Sequence, residues 1–341
     1  MFFTSKPGVT LAALAFLAAM AACQDNSTGK GKATAAPPAD SSMAQIARRD
    51  SLKLKRTAFN RDSLKADSIT RKSGQLPGAL LPGYRIVAFY GNIRAKRMGI
   101  LGREPKDQML LKLDQVVKEW QAADPSRPVM PALHSVTITA QSAAGADGKY
   151  RLLNSAATII ETRAWAREKH AVLFLDIQVG LSDLEHELPT LTEYLKDPAT
   201  HLGIDPEFAM ATKGGARPGK KIGTYDAKDV NYAIDFLARI VTENHLPPKI
   251  LMVHRFTKGM LTNYQNIKLD PRVQVVMDMD GWGDPILKKD SYKAYIQKQP
   301  VQYAGFKLFY EYDIKRKPYH LMTPTEVLTQ LDPVPLYVQY Q

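Results

Sequence analysis

From Leu81 onward, apolar runs of strand length alternate with stretches of helical periodicity, and the alternation repeats about eight times. A chain patterned this way folds as a parallel sheet covered by helices. The predicted strands span residues 85–90, 129–139, 171–178, 201–207, 249–256, 273–280, 305–312 and 336–339. Runs such as Ala171-Val172-Leu173-Phe174-Leu175 are apolar at successive positions, the pattern of a strand buried on both faces. Between the strands, Val230, Ala233, Ile234, Leu237, Ile240 and Val241 fall on one face of a helix predicted over 226–244. Met109, Leu110, Leu113, Val116, Val117 and Trp120 do the same over 106–123.

The segment 79–341 has the usual length of a (β/α)8 barrel, and the fold class expected is α/β, a TIM-like barrel. The rival is an open doubly wound sheet. That fold carries a glycine-rich phosphate loop after its first strand, and Tyr90-Gly91-Asn92-Ile93 is not one.

Ahead of the barrel, Lys6 precedes an apolar run from Val9 to Ala22 that closes on Met20-Ala21-Ala22-Cys23. A run this short, ending in small residues, reads as a secretory signal over 1–22. Its end resembles the lipobox of bacterial lipoproteins, which implies that Cys23 is acylated and becomes the membrane anchor. Gln24 in place of Asp implies, by the same resemblance, the outer membrane of the bacterial cell envelope. Cys23 is the only cysteine, so no disulfide is expected. Residues 23–78 read as a flexible basic tether, rich in Pro, Gly and Ser at first and then carrying Arg-Asp-Ser-Leu-Lys twice, at 49–53 and 61–65.

The formal net charge of +12 invites a nucleic-acid reading, but half of that surplus lies between Cys23 and Leu80, where aromatic residues are almost absent. With no zinc-finger spacing and no RNA-binding aromatic motif, nucleic acid is not an expected partner. A basic tether beside anionic lipid or cell-wall polymer accounts for the charge. The sequence does not indicate an oligomeric state.

In a barrel of this kind, functional residues gather at the C-terminal ends of the strands. The candidates there are His134 after strand two, Asp176 and Gln178 on strand three, Asp205 and Glu207 on strand four, and His254 on strand five. Asp278 and Asp280 end strand six, followed by Trp282, and Lys307, Glu311 and Tyr312 are placed on strand seven. Carboxylates two apart on a strand share a face, so Asp205 pairs with Glu207 and Asp278 with Asp280. Of the aromatic residues Tyr90, Trp282, Phe309, Tyr310 and Tyr312, two are expected to face a sugar ring and the others to pack in the core.

The segment Leu202-Gly203-Ile204-Asp205-Pro206-Glu207-Phe208 resembles the strand-four motif of chitinase-like glycoside hydrolases. In that family a final Glu is the general acid and an Asp two residues earlier orients the substrate. The resemblance implies Glu207 as proton donor and Asp205 as its partner. The family has acidic residues where this chain has Thr200 and Gly203. More broadly, 84–341 resembles a family of uncharacterised bacterial secreted or lipid-anchored barrel proteins. The shared features are 84–91, Asp205-Pro206-Glu207, 249–256, Met279-Asp280-Gly281 and 335–341.

These readings combine into one expectation: a lipid-anchored envelope barrel that binds and hydrolyses a glycan. Glu207 is the acid, with Asp205 beside it, and Asp280 or Asp278 is the second carboxylate. His134, Asp176, Gln178, His254, Trp282, Lys307, Glu311 and Tyr312 bind substrate. One alternative is a non-catalytic barrel that recognises cell-wall or other polysaccharide. A second is a metal-dependent hydrolase or deacetylase using His134, Asp176, Asp205, Glu207, His254 and Asp280 as ligands. His-x-His and His-Glu-x-x-His spacings are absent, so no metal and no cofactor are assigned.

Overall fold

The computed structural model describes residues 76–316 and 319–341. The proposed signal segment, Cys23 and the tether through residue 75 lie outside the described residues. Eight parallel strands form a closed barrel: β1 (Arg85–Gly91), β2 (Val129–Ala140), β3 (Val172–Ile177), β4 (Thr200–Ile204), β5 (Lys249–His254), β6 (Val273–Met279), β7 (Tyr303–Leu308) and β8 (Tyr337–Tyr340). Each strand pairs with the next in the chain, and β8 closes the ring on β1 with Ile86 opposite Tyr337 and Phe89 opposite Tyr340. The fold is the expected (β/α)8 barrel.

Helices cover the outside. The longer ones are α1 (Lys106–Ala123), α2 (Ala156–Glu168), α3 (Ala227–Glu243), α4 (Pro285–Tyr292) and α5 (Pro324–Gln330); single-turn helices lie at Ile100–Arg103, Leu184–Glu187 and Thr192–Leu195. The apolar stripe read from the sequence is the face α3 buries, and an Asp226–Asp229 capping box fixes its start. On α1, Trp120 is fully buried and its Nε1 donates to Tyr340 Oη at 2.9 Å, tying the helix to β8. The β5–β6 connection has no helix longer than the 3-10 turns Lys258–Met260 and Tyr264–Asn266, with a two-residue strand, Leu261–Thr262, between them that pairs with Tyr225–Asp226.

Alternate strand residues point into the barrel. Its lower interior is apolar, filled by Ile86, Ala88, Ala132, Phe174, Met252 and Val276 among others. Leu81 plugs the bottom: its N–H and that of Leu80 each donate to Gln274 Oε1 at 3.1 Å, and Gln274 Nε2 donates to Leu81 O. The interior therefore ends in packed hydrocarbon at one end and is free to be polar at the other.

A bulge on β2 sets the polar end. Val136 lies opposite Asp176 but Ile138 lies opposite Ile177, so Thr137 is an extra residue. Leu133 and Ile138 both pack under the outer helices although five residues apart, which strict alternation forbids and the bulge allows.

The strand boundaries bring three corrections. Strand four ends at Ile204, and Glu207 sits in a 3-10 turn, Pro206–Phe208, because proline lacks the N–H a ladder needs. Asp205 and Glu207 therefore do not share a strand face. Strand seven ends at Leu308, so Glu311 and Tyr312 lie in a turn beyond it. His134 is in the middle of β2, not after it.

Candidate functional site

The C-terminal ends of the strands surround an open cavity of about 610 Å³. Of the residues proposed from the sequence, Gln178, Asp205, Glu207, Asp280, Trp282 and Lys307 line it. His134, Asp176, His254 and Asp278 do not. They are inward-facing residues one layer lower, each 0% exposed, and none of them lines the cavity. This corrects the expectation that His134, Asp176 and His254 bind substrate directly. Glu311 pairs with Arg103 at 3.2 Å on the outside, and Tyr312 packs on Trp282 at the rim with ring centroids 5.9 Å apart. Neither lines the cavity.

Glu207 is positioned from its own backbone. Asp205 caps the turn by accepting from Glu207 N at 2.9 Å through Oδ1, while its Oδ2 accepts from Gln178 Nε2 at 3.3 Å. Burial pushes the Glu207 carboxyl up to about 8, with Asp205 and Asp280 adding to the rise and Lys307 opposing it. Burial likewise lifts Asp205 to about 7. The carboxyl that reaches the cavity from this turn thus holds its proton at neutral pH.

Just past the end of β6, Asp280 lies with Oδ2 3.0 Å from His254 Nδ1. His254 Nε2 is 3.4 Å from Asp176 Oδ2. Burial works against a charged His254, but Asp176 and Asp280 outweigh it and hold the imidazole pKa well above its usual value. Burial alone would raise Asp176; His254, and contacts from His134, overcome it and keep this carboxyl far below the ordinary range. Burial brings His134 down to about 4, so it stays neutral. Asp278 is lifted to about 7, again by burial.

Lys307 carries a cation into the wall, its Nζ 3.6 Å from the centre of the Tyr90 ring. Tyr90 Oη donates to Asp176 Oδ2 at 3.2 Å. Of the five aromatic residues singled out, Tyr90, Trp282 and Phe309 line the cavity, while Tyr310 stacks on Tyr340 under α1.

Sequence reasoning passed over several parts of the site. Lys288 on α4 is buried at the cavity edge, where its Nζ lies 3.0 Å from Asp313 Oδ2 and donates to the carbonyls of Gly281 and Lys307. It ties the loop bearing Trp282 to the end of β7. The missed signal was a lysine one turn after the Asp284 N-cap, facing the barrel. Gly203 was read as a missing acid. It points inward, and a Cβ there would stand 2.5 Å from Asp176 Oδ1 and 2.7 Å from His134 Nε2. Gly305 on β7 gives Asp278 the same clearance, with its Cβ position 2.5 Å from Oδ1. A side chain at either position would displace the polar layer.

The chain matches no protein-family model, and no curated protein matches it.

Proposed function

We propose that this barrel binds and hydrolyses a glycan in the cavity above β4 and β6. The observation that carries the reading is Glu207: a half-buried carboxyl, open to a polar and aromatic cavity, beside Asp205 and Asp280, with burial raising its pKa above the ordinary carboxylate range. Glycoside hydrolysis needs one carboxyl that donates a proton and a second that acts as base or nucleophile. Asp280 is the second group. It lines the same cavity and is braced from below by His254.

In this mechanism Glu207 protonates the glycosidic oxygen as the bond to the anomeric carbon breaks. Asp280 either activates the attacking water or attacks the anomeric carbon itself. Lys307 offers a donor to ring hydroxyls or to a charged substituent, Gln178 fixes Asp205 beside it, and the flat face of Trp282 offers stacking to a pyranose. Glu207→Gln keeps the shape of the site and removes the proton. The expected result is loss of turnover with glycan binding retained, and full activity in that variant would remove Glu207 from the mechanism.

The envelope location belongs to the same proposal. The apolar run before Cys23, the basic segment after it and the resemblance of 84–341 to secreted or lipid-anchored barrel proteins support an acylated anchor. Metabolic labelling with a radioactive fatty acid tests it: Cys23→Ser should abolish the label and move the protein from the membrane to the soluble fraction.

A further inference from the structure

Beneath the cavity, side chains from three strands converge: His134 of β2, Asp176 of β3 and His254 of β5. One donor atom from each lies within 4.8 Å of the others, and all three residues are fully buried. His134 Nε2 is 3.5 Å from Asp176 Oδ1, and His254 Nε2 is 3.4 Å from Asp176 Oδ2. His134 Nε2, His254 Nε2 and Asp176 Oδ1 have no hydrogen-bond partner among the described residues. A buried polar atom left this way costs about 1–3 kcal/mol, and here three of them lie in one cluster.

The outer nitrogen of His134 is hydrogen-bonded from behind, and that of His254 stands in ion-pair contact with a carboxylate. His134 Nδ1 is 2.6 Å from Tyr337 Oη, which in turn accepts from Gln339 Nε2 at 2.9 Å. His254 Nδ1 is 3.0 Å from Asp280 Oδ2. An imidazole hydrogen-bonded at one nitrogen, with the other left for a ligand, is how metal-binding histidines are oriented, and His134 has that arrangement. Phe174 stacks on His134 with centroids 5.1 Å apart, adding an apolar wall. The Cβ that Gly203 lacks would fall between Asp176 Oδ1 and His134 Nε2, so only glycine leaves that space open.

The two imidazole–carboxylate separations, 3.5 and 3.4 Å, match those around a small ion. A tetrahedral zinc with bonds of about 2.1 Å separates its ligand atoms by about 3.4 Å. Two imidazole nitrogens with one carboxylate suit zinc and its first-row neighbours, whereas calcium and magnesium take oxygen.

We propose that His134, Asp176 and His254 bind one divalent first-row transition-metal ion, with Zn2+ as its probe. The proton that His254 carries without the ion leaves to solvent as the ion enters. Buried below the substrate layer, the ion clamps β2, β3 and β5 together and, through His254, fixes the carboxylate of Asp280. It is a positioning centre and touches no substrate in the cavity.

The test uses the full chain, stripped by chelator in denaturant and refolded with Zn2+ or with Co2+ alone, with circular dichroism confirming the fold. One Zn2+ per chain by elemental analysis, and a visible Co2+ absorption band of a tetrahedral nitrogen–oxygen site, are the results expected. Tyr337→Phe, which removes only the hydroxyl behind His134, should weaken Zn2+ binding about 10–100-fold. His254→Gln should abolish uptake. Glu207→Gln should bind Zn2+ as the parent does whether or not it retains activity, which separates this site from the proposed hydrolysis. A folded parent chain with no stoichiometric uptake overturns the proposal. So does unchanged affinity in Tyr337→Phe, which decides the matter if His254→Gln fails to fold.

Discussion

Asp280 Oδ2 stands 3.0 Å from His254 Nδ1, so a carboxylate that lines the cavity is held from below by a fully buried imidazole. The cavity and the layer beneath it meet at this contact. A change at His254 should therefore reach the chemistry without touching substrate.

Asp280→Asn should lower kcat by about 10²-fold or more, the scale of a lost general base, while KM for a glycan changes little. Steady-state kinetics on any hydrolysed substrate would check this. A KM effect with kcat intact would instead make Asp280 a binding residue.

The alkaline limb of activity should belong to Glu207. A general acid works only when protonated, so kcat/KM should fall as pH rises through about 8. Lys307 opposes the rise of the Glu207 pKa, so Lys307→Met should move that limb to higher pH. A pH profile of the two proteins measures the shift and its sign.

Stability should depend on pH in the same direction. Glu207 at about 8 and Asp205 at about 7 lie above their unfolded values, so the folded state binds these protons more tightly. Their contribution is complete below the unfolded pKa, near 4, and is lost as pH rises through 7 and 8. Tm should therefore fall between about pH 5 and pH 8, and Glu207→Gln should flatten that slope. A Tm that climbs over this range by thermal denaturation, with no flattening in the variant, would contradict the assignment.

Gly203→Ala should be destabilising by about 1–3 kcal/mol, the usual cost of overpacking, because its Cβ would collide with Asp176 and His134. Gly259→Ala is the control. It is exposed, nothing lies within 4 Å of its Cβ position, and a change within about 0.5 kcal/mol is expected there. Urea denaturation of both variants gives the comparison.

Much of this was legible in the sequence because barrel strands are buried on both faces. Runs such as Lys249-Ile250-Leu251-Met252-Val253 cannot hide as loops. The β/α alternation, all eight strands and the stripes on α1 and α3 follow from composition and period alone. Depth along a strand does not. His134, Asp176, His254 and Asp278 point inward as alternation requires, but how far each sits below the rim depends on the stagger between strands, which no single strand encodes. Glu311 and Tyr312 were misplaced because apolar, aromatic residues continue past Leu308 after the ladder has ended. The bulge at Thr137 and the clearance at Gly203 are relations between strands, invisible in either strand alone.

Trp282 is 56% exposed at the cavity mouth, so Trp282→Ala should leave Tm nearly unchanged. Loss of its stacking should weaken glycan binding by about 0.5–1.5 kcal/mol, roughly 2- to 13-fold. Titration calorimetry with the bound sugar is the check.

The measurement closest to the central claim is a side-by-side assay of the parent chain and Glu207→Gln on a panel of envelope and plant-type glycans, reading released reducing ends and binding together. The account predicts cleavage of at least one glycan by the parent, loss of that cleavage by about 10²–10⁴-fold in Glu207→Gln, and binding retained in both. Cleavage that survives in Glu207→Gln, or a glycan bound by the parent and never cut, would contradict it.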